Sequence, residues 1–271
     1  MKINLNSPAV LIVLLLVFAS CEEVVQLDLK NSASRVVIDA LINASTGDCV
    51  VKVSKSLDFY QVDSFAKIEG AAVELFQSSG AGRKLSEMEP GIYSANNLMV
   101  RPGETFKLNI VLSPDETYTA QTIAPMEVFL DSLKVVRGFG DPRPTSPPVY
   151  LINPKWKDPK GIANFYRFKV TKNGKQRQGS FNITSDEPFD GTDVDMPLYR
   201  YDFELGDTVK LEFQSIDSVS FSYYNQINDM ARPSFVSATP YNPIGNFDNN
   251  ALGFFGVYYA EIRDLIISPR H

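Results

Sequence analysis

Apolar and polar residues alternate in short runs along this chain, and a period of two admits strands and little else. In "TFKLNIVL", Phe106, Leu108, Ile110 and Leu112 fall on one side, with Lys107 and Asn109 on the other. That is the pattern of a strand with one buried face. "SPDE" comes next as a turn and "TYTAQTI" alternates back, which predicts a hairpin. "RVVIDALI", "CVVKVSKSL" and "AAVELFQSSG" add strands, the last with Val73 and Leu75 inward and Glu74 outward. Residues 34–125 thus form a strand-only block, expected to fold as a β-sandwich domain. The 16 Gly and 17 Pro supply the turns that so many short strands need.

Ala124-Pro125 closes this block, and the proline-rich "GDPRPTSPP" interrupts the alternation at 140–148. Residues 126–271 are expected to form a second β-rich domain. In "NFYRFKVTKNGK", Tyr166, Phe168 and Val170 share a face, and Asn173-Gly174 marks a tight hairpin. "DTVKLEFQSI" alternates Val209, Leu211 and Phe213 against Lys210, Glu212 and Gln214. The period then changes. Val219, Tyr223, Ile227 and Met230 recur at helical spacing, predicting one amphipathic helix over 218–231, capped by Asp217 or Ser218 and ended by Arg232-Pro233. "ALGFFGVYYAEIRDLIIS" reads as one or two closing strands, apolar on both faces through "GFFGVYY". The expected fold class is mainly β, with an immunoglobulin-like or prealbumin-like sandwich first. "GIYSANNLMVRPGETFKLNI" resembles those modules, and this likeness is architectural, carrying no activity.

The amino terminus has a different character. Lys2 is the only charge before Glu22, and an apolar run extends from Ala9 to Ala19. It is too short for a hydrocarbon core that needs about 20 helical residues, and its layout is that of a secretory signal peptide over residues 1–20. Phe18-Ala19-Ser20-Cys21 resembles the bacterial lipobox, in which the Cys thiol takes a diacylglycerol and becomes the first residue. Acyl chains on Cys21 would meet the two-signal requirement for stable membrane anchoring. Glu22 and Glu23 resemble the signal that sends lipoproteins of Bacteroidota-type bacteria to the cell exterior, and 21–33 then reads as a lipidated tether. The alternative is a conventional secreted protein with an incidental Cys.

Charge and cysteine narrow the partners. A net charge of −6 without a basic run argues against nucleic acid or an anionic membrane surface. With Cys21 taken by lipid, Cys49 has no cysteine to pair with in the mature chain, and its β-branched neighbours predict a small buried hydrophobe.

The second block carries an ordered series: "NFYRFKV", "SDEPFDG", "GDTVKLEFQSID" leading to "FSYYNQI", then "NPIGNFDNNALGFFGVY". With the lipobox and "RVVIDALI", this series resembles the Bacteroidota lipoprotein family named for domain of unknown function 4249. The likeness covers nearly the whole mature chain. It implies an outer-membrane or cell-surface lipoprotein, often encoded beside TonB-dependent transporters, with no established catalytic residues.

Candidate chemistry is sparse. The single histidine is His271, which leaves no internal base for Ser-His-Asp or Cys-His catalysis. No P-loop, nucleophile elbow or dinucleotide fingerprint occurs, and no cofactor is expected. "SDEPFDGTDVDMP" crowds Asp186, Glu187, Asp190, Asp193 and Asp195 together. Asp186, Asp190, Asp193 and Asp195 are candidate Ca²⁺ ligands, Gly191 allowing a sharp turn; a solvated acidic loop and a glycosidase pair are the competing readings. "LYRYDF" puts Tyr199, Tyr201 and Phe203 on one face if it is a strand. Tyr199, Tyr201, Tyr223, Tyr224, Tyr241, Phe254 and Tyr258 are the candidate ligand or partner contacts, because aromatic rings offer area, and Tyr adds a polar handle. The expectation is a non-enzymatic surface lipoprotein that binds a ligand or partner and assists TonB-dependent nutrient uptake. A structural or adhesive lipoprotein is the alternative.

Overall fold

In a computed structural model, residues 34–56, 66–80, 82–139, 147–176, 181–231 and 241–268 are described, all within one compact unit. The alternating runs become strands: β1 (Val36–Asn43), β2 (Asp48–Lys55), β3 (Ala66–Lys67), β4 (Ala72–Gln77), β5 (Arg83–Lys84), β6 (Ser86–Glu89), β7 (Ile92–Ala95), β8 (Thr105–Ser113) and β9 (Glu116–Ile123). The second block supplies β10 (Leu130–Arg137), β11 (Tyr150–Lys157), β12 (Phe165–Lys172), β13 (Lys175–Gln176), β14 (Asn182–Ser185), β15 (Asp193–Asp195) and β16 (Thr208–Ile216). Helix α1 (Ser218–Ala231) and β17 (Leu252–Ile266) complete it. The fold is mainly β with a single helix among the described residues.

The largest sheet has ten strands and runs β13-β12-β16-β17-β1-β2-β7-β6, with β14 beside β12 and β3 beside β2. A four-stranded sheet, β5-β4-β8-β9, faces its β1–β2–β7 end, and a three-stranded sheet, β10-β11-β15, faces its β12–β16 end. The large sheet is therefore shared by two sandwiches. The first core holds Ile38, Ala40, Ile42, Val51 and Val53 against Val73, Leu75, Phe106, Leu108 and Ile110. The second holds Tyr166, Phe168, Leu211 and Phe213 around Trp156, whose ring lies 5.2–5.7 Å from those of Tyr166, Phe213 and Phe168. Two cores meet near Pro125, where composition divides the chain, but the ladder of hydrogen bonds runs through without a break.

Strand β17 makes that continuity. Residues 252–258 pair in parallel with β1, and residues 258–266 pair antiparallel with β16. Phe255 and Val257 belong to the first core and Ile267, just beyond the strand, to the second. The segment leading into β10 is clamped to the same strand: Leu130 N–H donates to Glu261 Oε2 at 2.7 Å, and Arg263 pairs with Glu261 at 2.5 Å.

Two local expectations change. "LYRYDF" is a turn, closed by Tyr201 N–H to Leu198 C=O at 3.3 Å, with only Phe203 bridged to Tyr150. Pro197 at its start cannot donate to a ladder. The helix has the expected bounds but presents Ser220, Tyr224 and Asn228 inward, while Met230 is exposed and Val219, Tyr223 and Ile227 are half-buried.

Candidate functional site

The site is built where α1 lies on the large sheet. Asp217 starts the helix: its Oδ1 accepts the Ser220 N–H at 2.6 Å, filling one of the donors a helix N-terminus leaves open. Its Oδ2 accepts the Thr122 hydroxyl of β9 at 2.7 Å and the amide of Val257 on β17. Burial pushes the Asp217 carboxyl above the usual range, against the pull of these donors. The helix comes close because β17 has no side chain at Gly256, where an added Cβ would stand 2.2 Å from Ser220 Oγ.

Aromatic rings fill the seam. Tyr223 stacks on Phe254 with centroids 4.4 Å apart, and Tyr224 meets the same ring edge-on at 5.5 Å. Phe181 stacks on Tyr224 at 4.4 Å, and the Arg167 guanidinium lies over both rings while donating to the Tyr224 hydroxyl at 3.0 Å. A cation over desolvated aromatic faces is favourable and also orders the long side chain.

A groove of about 290 Å³ occupies the outer face of β1, β2 and β17. Its rows match the register: Asp39 opposite Lys52, Leu41 opposite Val50, and Asn43 opposite Asp48, with Tyr258 paired to Asn43 from the other side. An apolar middle row between two hydrogen-bonding rows suits an amphipathic guest. Desolvation raises the Asp39 carboxyl, with Lys52 opposing, and also raises the hydroxyls of Tyr223 and Tyr258, which remain donors at neutral pH.

The model of the family described as "Domain of unknown function (DUF4249)" matches residues 22–261, most of the chain. The chain belongs to the DUF4249 family. No curated protein matches it.

Of the aromatic candidates in this DUF4249 chain, Tyr223, Tyr224, Phe254 and Tyr258 come together at the helix. Tyr224 and Phe254 are buried in its seam, so their rings serve packing, and the faces left for contact are those of Tyr223 and Tyr258. Tyr201 lies elsewhere, stacked on Phe203, while Tyr199 is 65% exposed on its turn and Tyr241 is 48% exposed. The seven do not make one surface.

The acidic segment also separates. Asp186 and Asp190 meet Asp158, a residue that no sequence pattern singles out, with carboxylate oxygens within 4.8 Å of one another. These three could hold a cation. In the structure they brace two loops: Asp158 accepts the Tyr166 hydroxyl and the Gly191 amide, Asp186 the Asn164 amide, and Asp190 the Gly161 amide. Asp193 and Asp195 sit apart on β15, where Asp195 is bound to Lys155 and Asn153. Glu187 is exposed. Asp158 lies 28 positions before Asp186, and the pairings of β11 with β15 and of β12 with β14 bring the two loops together. Cys21, Glu22, Glu23 and His271 lie outside the described residues.

The family series that ends the chain has a physical role. Asn246, Asp248 and Asn249 line the free edge of β9: Asn249 Nδ2 donates to Thr117 C=O at 2.6 Å, Thr119 N–H donates to Asp248 Oδ1 at 2.7 Å, and Asn246 Nδ2 donates to Gln121 C=O at 2.8 Å. Short polar side chains stand in for a missing strand and satisfy an edge that would otherwise pair with another chain.

Proposed function

We propose that this chain is a non-enzymatic lipoprotein, acylated on Cys21 and held at the exterior face of the outer membrane, that binds a partner as an accessory to TonB-dependent nutrient uptake. The observation that carries the binding part is the groove beside α1, where Leu41 and Val50 lie between the Asp39–Lys52 row and the Asn43–Asp48 row, which Tyr258 extends. A partner's apolar side chain would cover the middle row while its polar groups meet the outer two, the mixed composition of a transient interface. The lipobox-like Phe18-Ala19-Ser20-Cys21 and the two acids after it support the anchor.

The test is co-purification from outer membranes in mild detergent, using a tag at the carboxyl end. A TonB-dependent barrel in stoichiometric amount is expected with the native chain, reduced in a Cys21→Ala variant and lost in a Val50→Glu variant that places a charge in the middle row. A lipoprotein that elutes alone at several detergent and salt strengths would sink the accessory role and leave the structural or adhesive one.

A further inference from the structure

A second cleft lies on the other sandwich. The β12–β13 hairpin turns at Asn173 (φ 50°) and Gly174 (φ 75°), the left-handed pair that a two-residue turn requires. Facing it is the turn that runs from Leu198 to Phe203, tied to β11 by mutual bonds between Tyr150 and Phe203 at 2.9 Å. Between them is a cavity of about 540 Å³, a size typical of small-ligand sites.

Its chemistry is specific. Val170 and Phe203, both buried, form the floor, and the Tyr201 ring lies nearly parallel to Phe203, 17° apart with centroids at 6.5 Å. The Lys172 ammonium sits 5.7 Å from the Phe203 ring centre, donates to Asp202 C=O at 3.0 Å and pairs with Asp207 at 2.9 Å. Asp207 is itself held by the Glu204 amide and the Asn173 carboxamide. An ammonium has three N–H donors, so one remains for a guest. Lys175 and Gln176, both exposed, form the opposite wall.

Among the described residues, Lys172 and Lys175 are the cations that line the cleft, with Asp202 beside them and Asp207 paired to Lys172. An exposed ammonium such as that of Lys175 attracts an anion at close range.

We propose that this cleft binds an anionic saccharide, a sugar ring bearing a carboxylate. The C–H face of the ring packs on Tyr201, and the carboxylate sits between Lys172 and Lys175. This deepens the reading of the protein as a binder, but uses a cleft separate from the Tyr258 groove, so either can fail alone.

Titration calorimetry on the full chain carrying Cys21→Ala, with uronic-acid trisaccharides of several linkages and their neutral hexose counterparts, tests it. At least one acidic trisaccharide is expected to bind, at least tenfold more tightly than its neutral counterpart and more weakly as salt rises. Lys175→Ala, at an exposed position, is expected to weaken binding at least tenfold with an unchanged melting temperature, and Tyr201→Ala to do the same. Val50→Glu should leave it unchanged. If Tyr201→Ala does not fold, Lys175→Glu decides. Absence of binding across the acidic set, equal affinity for neutral sugars, or indifference to the Lys175 substitutions would overturn the proposal.

Discussion

The carboxamide of Asn246 pairs with the backbone of Phe255 as a neighbouring strand residue would, accepting its N–H at 2.8 Å and donating to its C=O at 2.9 Å. Over residues 252–257, β17 has β1 on one edge and no strand on the other. Asn246 and Asp217 fill that edge, at Phe255 and Val257 respectively. Asn228 does the same for Phe181, accepting its N–H at 2.6 Å and donating to its C=O at 2.9 Å. Side chains thus complete the ladder at the seam between the sandwiches, which also seats α1 and the Tyr258 groove.

Substituting Asn246 by Ala would leave the Phe255 amide and carbonyl without partners. The expected loss is about 2–4 kcal/mol, each orphaned buried group costing about 1–3 kcal/mol. Urea denaturation should show a lower midpoint with an unchanged slope. Asn246→Asp should also destabilise, because a carboxylate cannot donate to Phe255 or Gln121.

Asp217 couples the seam to pH. Its carboxyl is raised above the ordinary 3.8 by burial, so the folded state binds its proton more tightly than the unfolded chain does. Stability from this group therefore falls as pH rises from about 3.8 through the folded pKa, and is level beyond it. The difference in unfolding free energy between the native chain and Asp217→Asn should shrink across that window. Asp217→Ala, which removes both the helix cap and the partner of Val257, should cost about 2–4 kcal/mol at neutral pH.

Gly256→Ala tests how closely the helix approaches. The new Cβ would meet Ser220 Oγ at 2.2 Å and the Phe254 ring at 3.1 Å, so the Ser220 side chain must turn away or α1 must shift. A loss of about 1–3 kcal/mol is expected, the usual range for overpacking. Combining it with Ser220→Ala, which removes the nearest atom, should recover part of the loss and give a non-additive cycle.

Cys49 is fully buried, and its thiol is pushed up to about 12 by that burial. In a Cys21→Ser chain, a thiol reagent at pH 8 should leave the native protein unlabelled and react stoichiometrically in denaturant. Prompt labelling of the native protein would contradict the buried position on β2.

Strands β1, β2, β4, β8, β9, β12 and β16 were legible in the sequence because a period of two is local: Phe106, Leu108 and Ile110 declare their face without reference to the rest of the chain. So was the extent of α1, since Asp217 caps it from the adjacent position. Its buried face was not. Apolar periodicity singled out Val219, Tyr223, Ile227 and Met230, whereas the sheet beneath presents Gly256 and the seam presents the Phe181 backbone, which favour Ser220 and Asn228 inward.

The sequence by itself determined the β class, the hairpin at Asn173-Gly174 and the buried thiol of Cys49. Only the tertiary structure decided that two strand blocks share one sheet, that Asp158 rather than Asp193 joins Asp186 and Asp190, and that Tyr201 and Tyr258 serve different clefts. The reason is physical. Periodicity, turn chemistry and caps are set by residues a few positions apart, whereas these juxtapositions depend on β17 pairing with β1, some two hundred positions earlier, and on β11 pairing with β15 and β12 with β14. Such closures are chosen by the sum of both cores, and no short stretch of sequence encodes them.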